Sequence, residues 1–455
     1  MAPRYAQASL LDSARFSVLH AAPVALQGVF RKRPFWVGAV AALHPDPLGR
    51  RFAARLRAKY GAPYLDLSLF GRRTRLVLDP EGARAVLERS PDAYAADPKS
   101  KRDGMALFQP DAATTSRQPE WSARRAFNDL VLGAGAGPPH DGHFLGVVRD
   151  EVGRWHARSP GRLAWGDLRD LFERVTLRVV FGDAAREDRA LVAALDALMG
   201  RANRVLFRRR SAPAFDALSG GIGAYLAAAD PASLMGVAAR VLETPALWPG
   251  GRLPPREVVR PESQVPHWLF AMKDTLAANA AFALALLAAH PAVAEAARRG
   301  LPAGRELAAA DLHAATLLEG CVQEGMRLWP TTPMLLREAA AAGVLGGELH
   351  GPGLQVLIWN AASHRDARFV PDPDRFDPAR WSGGGTDWQF NHFSNGRQGC
   401  SGKALALFLA KAVVAELGRK AGFALTQPPL PAGGAMPEAF NWFRFEAAAT
   451  TPPWF

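Results

Sequence analysis

The sequence predicts a mainly α protein with a small β region near its N-terminus. Over most of the chain apolar residues recur at three- and four-residue spacing, as in Leu168, Leu171, Phe172, Val175 and Val179. That is the period of a half-buried helix. Period-two alternation is confined to a few short runs, chiefly Tyr64–Leu69 and Arg75–Leu78. One long stretch, His267–His290, is apolar nearly all round and reads as a buried central helix, on the order of 36 Å long at about 1.5 Å per residue.

Taken in order, Asp46-Pro47 has the form of an N-cap and first-turn proline for a basic helix running to Tyr60. Tyr64–Leu69, the turn at Gly71-Arg72 and Arg75–Leu78 make a hairpin. Asp79-Pro80 opens a short helix through Ser90. Residues 91–119 read as an irregular loop carrying Phe108, and Glu120–Leu132 as a helix carrying Trp121 and Arg125. Helical pattern then runs to about Arg240, broken at Arg208–Pro213 and Asp230-Pro231. A Pro/Gly-rich linker, 245–266, leads to the central helix, which Pro291 ends. Asp311–Leu328 is a further helix, Leu335–Arg337 and Leu354–Trp359 are extended, and Asn441–Phe445 reads as a late strand.

With 455 residues, 49% hydrophobic and 22% charged, the chain has the composition of an ordinary soluble globular protein. Its two cysteines, Cys321 and Cys400, lack CxxC spacing, which excludes a disulfide framework and a cysteine-rich zinc site and fits a reducing, cytoplasmic compartment. The net charge of +12 includes clusters at Arg31-Lys32-Arg33, Arg124-Arg125 and Arg208-Arg209-Arg210. None belongs to a nucleic-acid module; an acidic protein partner is the reading kept for them. The apolar patches Ala21–Phe30 and Phe35–Leu43 fall short of the roughly 20 residues of a membrane span. Residues 1–45 are expected to be an N-terminal extension and 46–455 a single domain.

The most informative stretch is Phe393-Ser394-Asn395-Gly396-Arg397-Gln398-Gly399-Cys400-Ser401-Gly402, followed at once by an apolar helix. A thiol at a helix N-terminus meets unpaired N–H groups that favour thiolate. Glycine lets backbone approach a neighbour closely. A buried thiolate of this kind suits a haem iron that must cleave an O–O bond. The alternative, a small buried hydrophobe, leaves the glycines unexplained. Inside the central helix Lys273, Asp274, Thr275 and Asn279 are polar residues that burial makes costly unless partnered, and so are functional candidates. Glu324 and Arg327 stand i, i+3 on one helix face.

These motifs together resemble the cytochrome P-450 superfamily, the haem-thiolate monooxygenases, over nearly the whole chain. Phe393, Gly396, Cys400 and Gly402 match its cysteine loop, and Glu324-Gly325-Met326-Arg327 its Glu-x-x-Arg. His364-Arg365-Asp366 with Pro371–Phe376 is similar to its meander, and Trp121–Arg125 to its Trp-x-x-x-Arg. The resemblance implies haem b (iron protoporphyrin IX) buried between the central helix and the cysteine-loop helix. It implies Cys400 as iron ligand, Trp121, Arg125 and Arg337 on the propionates, and a network of Glu324, Arg327 and Arg375. Ala271-Met272-Lys273-Asp274-Thr275 stands where the family has small-Gly-x-acid-Thr, which gives Thr275 and Asp274 a proton-delivery role. Ala271 would lie on the haem, and Phe108 and Met272 in the substrate pocket.

Three departures stand out: Met272 replaces a glycine, Lys273 stands beside the acid, and Gln398 occupies the position where the family has Arg or His for a propionate. The activity implied is insertion of one oxygen atom from O2 into an apolar organic substrate. Electrons would come from a small acidic ferredoxin-type donor with its reductase. The alternatives are a peroxide-driven peroxygenase or isomerase and a non-catalytic haem-binding or sensor protein.

Overall fold

The computed structural model describes residues 4–43, 48–204, 210–383 and 388–455. The expected cap at Asp46-Pro47 and the cluster residues Arg208 and Arg209 lie outside them; the helix that Asp46 was to open spans Leu48–Tyr60. Among the described residues helices dominate. Four of them, Glu120–Leu132, Trp165–Phe181, Thr316–Leu328 and Lys403–Lys420, pack on the central run 261–289, and Asp141–Arg158 packs outside, against Trp165–Phe181 and Lys403–Lys420. Phe127, Phe172, Phe282 and Phe408, each buried, belong to the one apolar cluster these helices share.

The main sheet is six-stranded and is built from both halves of the chain. Its strands are β1 (Tyr5–Gln7), β2 (Tyr64–Leu69), β3 (Arg72–Val77), β4 (Tyr94–Ala95), β6 (Leu335–Ala339) and β9 (Gln355–Ile358), in the order β1-β2-β3-β9-β6-β4. A second sheet joins β5 (Arg162–Ala164) to β10 (Gly422–Gln427) and β11 (Glu446–Thr450). The short pair β7 (Gly343–Leu345) and β8 (Glu348–His350) completes the β structure. The hairpin β2–β3 pairs Leu69 with Arg72, so the strand returns three residues before Arg75. β1 lies parallel to β2, and the helical run that follows packs on β2 with Phe16 fully buried, so residues 5–21 are clasped to the sheet, while Pro34–Leu43 packs against Trp442–Arg444.

Several expectations are corrected. The loop 91–119 contains the helix Lys99–Met105, because Pro98 directly precedes a run free of β-branched residues. The linker gives way to helix at Pro261, with Pro266 inside it. Between Pro261–Phe270 and Leu276–Ala289 the central helix makes a π turn, Ala271–Thr275. The helix expected over Asp311–Leu328 is two, Ala309–Ala314 and Thr316–Leu328. Asn441–Phe445 is no strand. Trp442–Arg444 forms a 3-10 turn whose Trp442 ring packs at 5.8 Å on Phe282, and the strand begins at Glu446. The short helix Pro80–Leu87 is capped as expected, Asp79 Oδ1 accepting from Gly82 N at 2.7 Å, a contact worth about 1 kcal/mol.

Candidate haem site

The Lys403–Lys420 helix begins directly after the cysteine loop and packs against the central helix. Cys400 N donates to Phe393 O at 2.8 Å and Gly399 N to Gly396 O at 2.9 Å, so the loop folds back as a tight hairpin beneath the thiol. Gly396 has φ +75°, and a Cβ there would stand 2.2 Å from Leu87 O. Its glycine is demanded by the neighbouring helix end. Burial pushes the Cys400 thiol up, while the Gly402 N–H and the cations Arg125 and Lys403 pull it down. Thiolate is therefore favoured by groups already in place and opposed by desolvation.

Cys400 opens on a cavity of about 330 Å3. The structure brings ten of the expected residues to its wall: Trp121, Arg125, Ala271, Met272, Thr275, Arg337, Phe393, Gln398, Cys400 and Gly402. The π turn supplies Ala271, Met272 and Thr275, so the helix departs from regular α geometry at the stretch facing the cavity; such turns favour functional positions. Asn279, one turn on, also lines it, and its Oδ1 is buried without a hydrogen bond.

Three expected residues are placed differently. Asp274 is not on the wall: Lys273 stands 3.6 Å from its Oδ1 and donates at 2.8 Å to Asp196. Burial raises the Asp274 carboxyl and Lys273 lowers it, with burial the larger effect. Phe108 stands one layer behind the wall, packed between Phe30 at 6.0 Å and Phe270 at 6.1 Å, and it is Phe270 that lines the cavity. Arg375 has an exposed side chain and joins the buried pair only through its carbonyl, which accepts from Arg327 Nη2 at 3.0 Å. The guanidinium nearest Glu324 from this segment belongs to Arg380, at 3.5 Å. Pro378–Ser382 is a 3-10 turn, and it turns Arg380 inward.

Glu324 and Arg327 are both fully buried and doubly bonded, at 2.6 and 2.8 Å. They lie outside the cavity wall.

The electrostatics of the wall are one-sided. Arg125, Arg337 and Lys101 line it, and no Asp or Glu does among the described residues. Arg125 is paired to Asp129 at 2.7 Å and also donates to Gly399 O. Arg337 has neutral partners, Ser394 Oγ at 2.8 Å, Leu336 O at 3.0 Å and Ser90 Oγ at 3.3 Å; burial pushes it down to about 10. Lys101 donates to Ala96 O at 2.9 Å and Thr114 O at 3.1 Å. Burial, then Arg337, push it down to about 7 against the pull of Asp97. His267 and His392, also on the wall, are each pushed down to about 3 by burial. Both imidazoles are neutral.

Lys101 and His392 escaped the sequence reading. Lys99-Ser100-Lys101-Arg102-Asp103 looks like a solvated charge run, and only the packing of residues 96–114 turns one of its lysines inward. Arg397, the other cation near Gln398, points away: it pairs with Asp92 and lies over the Trp121 ring at 5.6 Å.

A planar dianion with a metal centre fits this cavity. It offers one thiol for the metal, unpaired cations for two carboxylates, and orphaned polar atoms at Asn279 Oδ1, His392 Nδ1 and Gln398 Oε1. No cluster of three or more His, Cys, Asp or Glu able to hold a metal occurs among the described residues.

Comparison with known proteins agrees. Residues 262–419 match the family model described as cytochrome P450. Cyclooctat-9-en-7-ol 5-monooxygenase of Streptomyces melanosporofaciens is 33% identical over 161 residues, covering 34% of this chain and 35% of that protein. Human aromatase is 28% identical over 155 residues, covering 33% and 31%. The matched stretch therefore spans about a third of the length of these relatives. The structure of retinoic acid-bound cyanobacterial CYP120A1 superimposes with TM-score 0.68 at 19% identity, over 88% of this chain and 94% of that one.

The fold and the thiol-bearing cavity are compatible with a haem-thiolate site. Residues 262–419 match the cytochrome P450 family model, and the whole fold is similar to that of CYP120A1.

Proposed function

We propose that this protein is a haem-dependent monooxygenase that inserts one oxygen atom of O2 into an apolar organic substrate. The observation that carries the reading is the single thiol, Cys400, set across one cavity from the turn that bears Thr275. Bound there, haem supplies dioxygen activation, which a thiolate ligand promotes. In this reading Cys400 is the metal ligand, Phe393 and Gly402 shape its loop, and Ala271 and Met272 border the reacting space. The Thr275 hydroxyl holds and passes protons. Asp274 backs it from outside the wall, through motion that frees it from Lys273. Trp121, Arg125 and Arg337 hold propionates.

Lys101 is the further cation of this set. Gln398 leaves one carboxylate without its family partner, Arg397 is engaged outside, and Lys101 is a half-buried ammonium that donates to carbonyls.

Electrons come from a separate donor, read as an acidic ferredoxin with its reductase and supported by the +12 charge. The haem domain is read as residues 46–455 with the earlier segment clasped to it, and the location as cytoplasmic. One helical run, 256–289, is apolar and long enough to cross a membrane, but 78% of its most apolar window is buried in the fold.

One observation favours peroxide as oxidant instead: the carboxylate meant to feed protons is held away from the cavity by Lys273. The test is turnover of an apolar substrate panel with a ferredoxin system and O2 against hydrogen peroxide alone. Turnover with peroxide only would sink the monooxygenase reading. Cys400→Ala removes the red-shifted carbonyl band of the reduced protein; survival of the band would refute the ligand. Thr275→Ala leaves electron uptake intact and diverts it to peroxide; unchanged coupling would remove Thr275 from proton delivery.

A further inference from the structure

We propose that the N-terminal helix docks this protein on an anionic lipid surface, lying in the plane of the membrane interface. From Leu10 to Leu26 the chain is helical without a break: Leu10–Phe16, the π turn Ser17–Ala21, and Ala22–Leu26. Its two faces are inverted. Toward the protein it turns Asp12, Ser13, Ser17 and His20, all buried beside Phe16. Toward water it turns Leu10, Leu11, Val18, Leu19 and Leu26, with Leu10 at 85% and Val18 at 64% exposure. A helix that belongs only to a globular surface does the opposite.

Three of the inward polar groups are held by hydrogen bonds. Asp12 accepts from Lys59 at 2.6 Å and Tyr60 at 2.7 Å, Ser13 Oγ accepts from Ser68 N at 3.2 Å, and Ser17 Oγ donates to Ser68 O at 3.2 Å. The orientation is therefore fixed by specific bonds, and the apolar side chains are held outward. The next helix, Pro34–Leu43, adds Phe35, 76% exposed, and Trp36. Large apolar side chains exposed together in this way mark a surface that something covers.

Charge identifies the occupant. Residues 1–60 contain ten Lys and Arg against two Asp and no Glu, a net +8 within a chain of +12. Of the two acids, Asp12 is consumed internally. Arg15, Arg51 and Arg55 are exposed on the same N-terminal segment. An apolar face on cationic ground is what an interface of anionic headgroups over acyl chains receives. A second copy of the chain would set +8 against +8. An acidic protein would satisfy the cations but gain nothing from the leucines and valine unless it brought an apolar groove.

The inference goes beyond the oxygenase reading and does not depend on it. The test is sedimentation of the holoprotein with vesicles of equal phosphatidylglycerol and phosphatidylcholine, and with phosphatidylcholine alone. Binding to the mixed vesicles is expected to exceed binding to neutral ones by about tenfold or more, and to fall as salt is raised. Val18→Glu combined with Leu19→Glu is expected to weaken it about a hundredfold, with haem absorbance and melting temperature unchanged because both residues face water. No partition into anionic vesicles at low salt, or partition that the double variant leaves intact, overturns the proposal. So does a concentration-dependent dimer, or retention on an acidic protein matrix, that the double variant abolishes while vesicle binding is absent.

Discussion

Two buried charge clusters lie in this chain and differ in where their counterions come from. Around Arg327 every partner is internal. Glu324 meets it twice, and His364 O, Pro373 O and Arg375 O take its remaining donors at 3.2, 2.6 and 3.0 Å. Glu324 in turn receives Asp377 N at 2.9 Å and Trp381 Nε1 at 3.0 Å. Around the cavity, Arg337 and Lys101 have neutral oxygens for partners and no carboxylate. A buried charge answered within the chain is architecture. One left unanswered is a receptor for a charge that arrives later.

The comparison breaks most readily at Glu324. Glu324→Ala strands a buried guanidinium and is expected to cost about 3–5 kcal/mol, read as loss of the cooperative urea transition or of soluble holoprotein. A variant that melts within a degree or so of the parent would show that the closed cluster does not hold the core. Arg337→Met should act in the opposite sense on the two forms. Apoprotein melts no lower, since an unpaired buried charge has gone, whereas haem transfers to apomyoglobin about tenfold faster or more. Equal destabilisation of both forms would make Arg337 architectural.

Lys101 gives a pH signature. Its ammonium is pushed down to about 7 by the protein alone, chiefly by burial, with Arg337 opposing the charge, Asp97 supporting it and His267 neutral beside it. A carboxylate raises it again. Haem binding therefore takes up a proton above pH 7, and haem affinity falls by up to about tenfold per pH unit until the holo value is reached. Lys101→Met flattens that dependence, and an unflattened profile assigns the proton elsewhere. The smallest effect is expected at Arg375→Ala, within about 0.5 kcal/mol by chemical melting, because the carbonyl it contributes remains. A loss above 2 kcal/mol would return its side chain to the network.

The thiol wall was legible because its residue types answer local constraints that spacing preserves. Gly396 must fold against Leu87 O, Gly402 must open a helix, and Cys400 must sit between them. Trp121 with Arg125, and Thr275 ahead of Pro291, are likewise fixed by helix geometry. Other features depend on tertiary packing or on one hydrogen bond. Lys101 and Lys99 are alike in sequence, yet Lys99 pairs with Asp103 on the surface while Lys101 turns inward. A single π turn does not disturb the apolar period enough to be seen in a helix apolar on all sides. Arg375 and Arg380 sit five residues apart in one meander, and the turn between them decides which reaches Glu324. The aromatic run Asn441–Phe445 has strand propensity, and stacking of Trp442 on Phe443 at 5.4 Å and its packing on Phe282 override it.

The order of the main sheet has a consequence for how the chain is made. β3 pairs with β9, Thr74 against Gln355, so its outer edge is complete only when residue 358 has left the ribosome. At about 5–20 residues per second the hairpin waits roughly 15–55 s with an open edge. An open edge is a template for pairing with other nascent chains. Fragments ending before β9 are therefore expected to be insoluble, and yield of the whole protein to depend on how quickly residues 78–358 are translated.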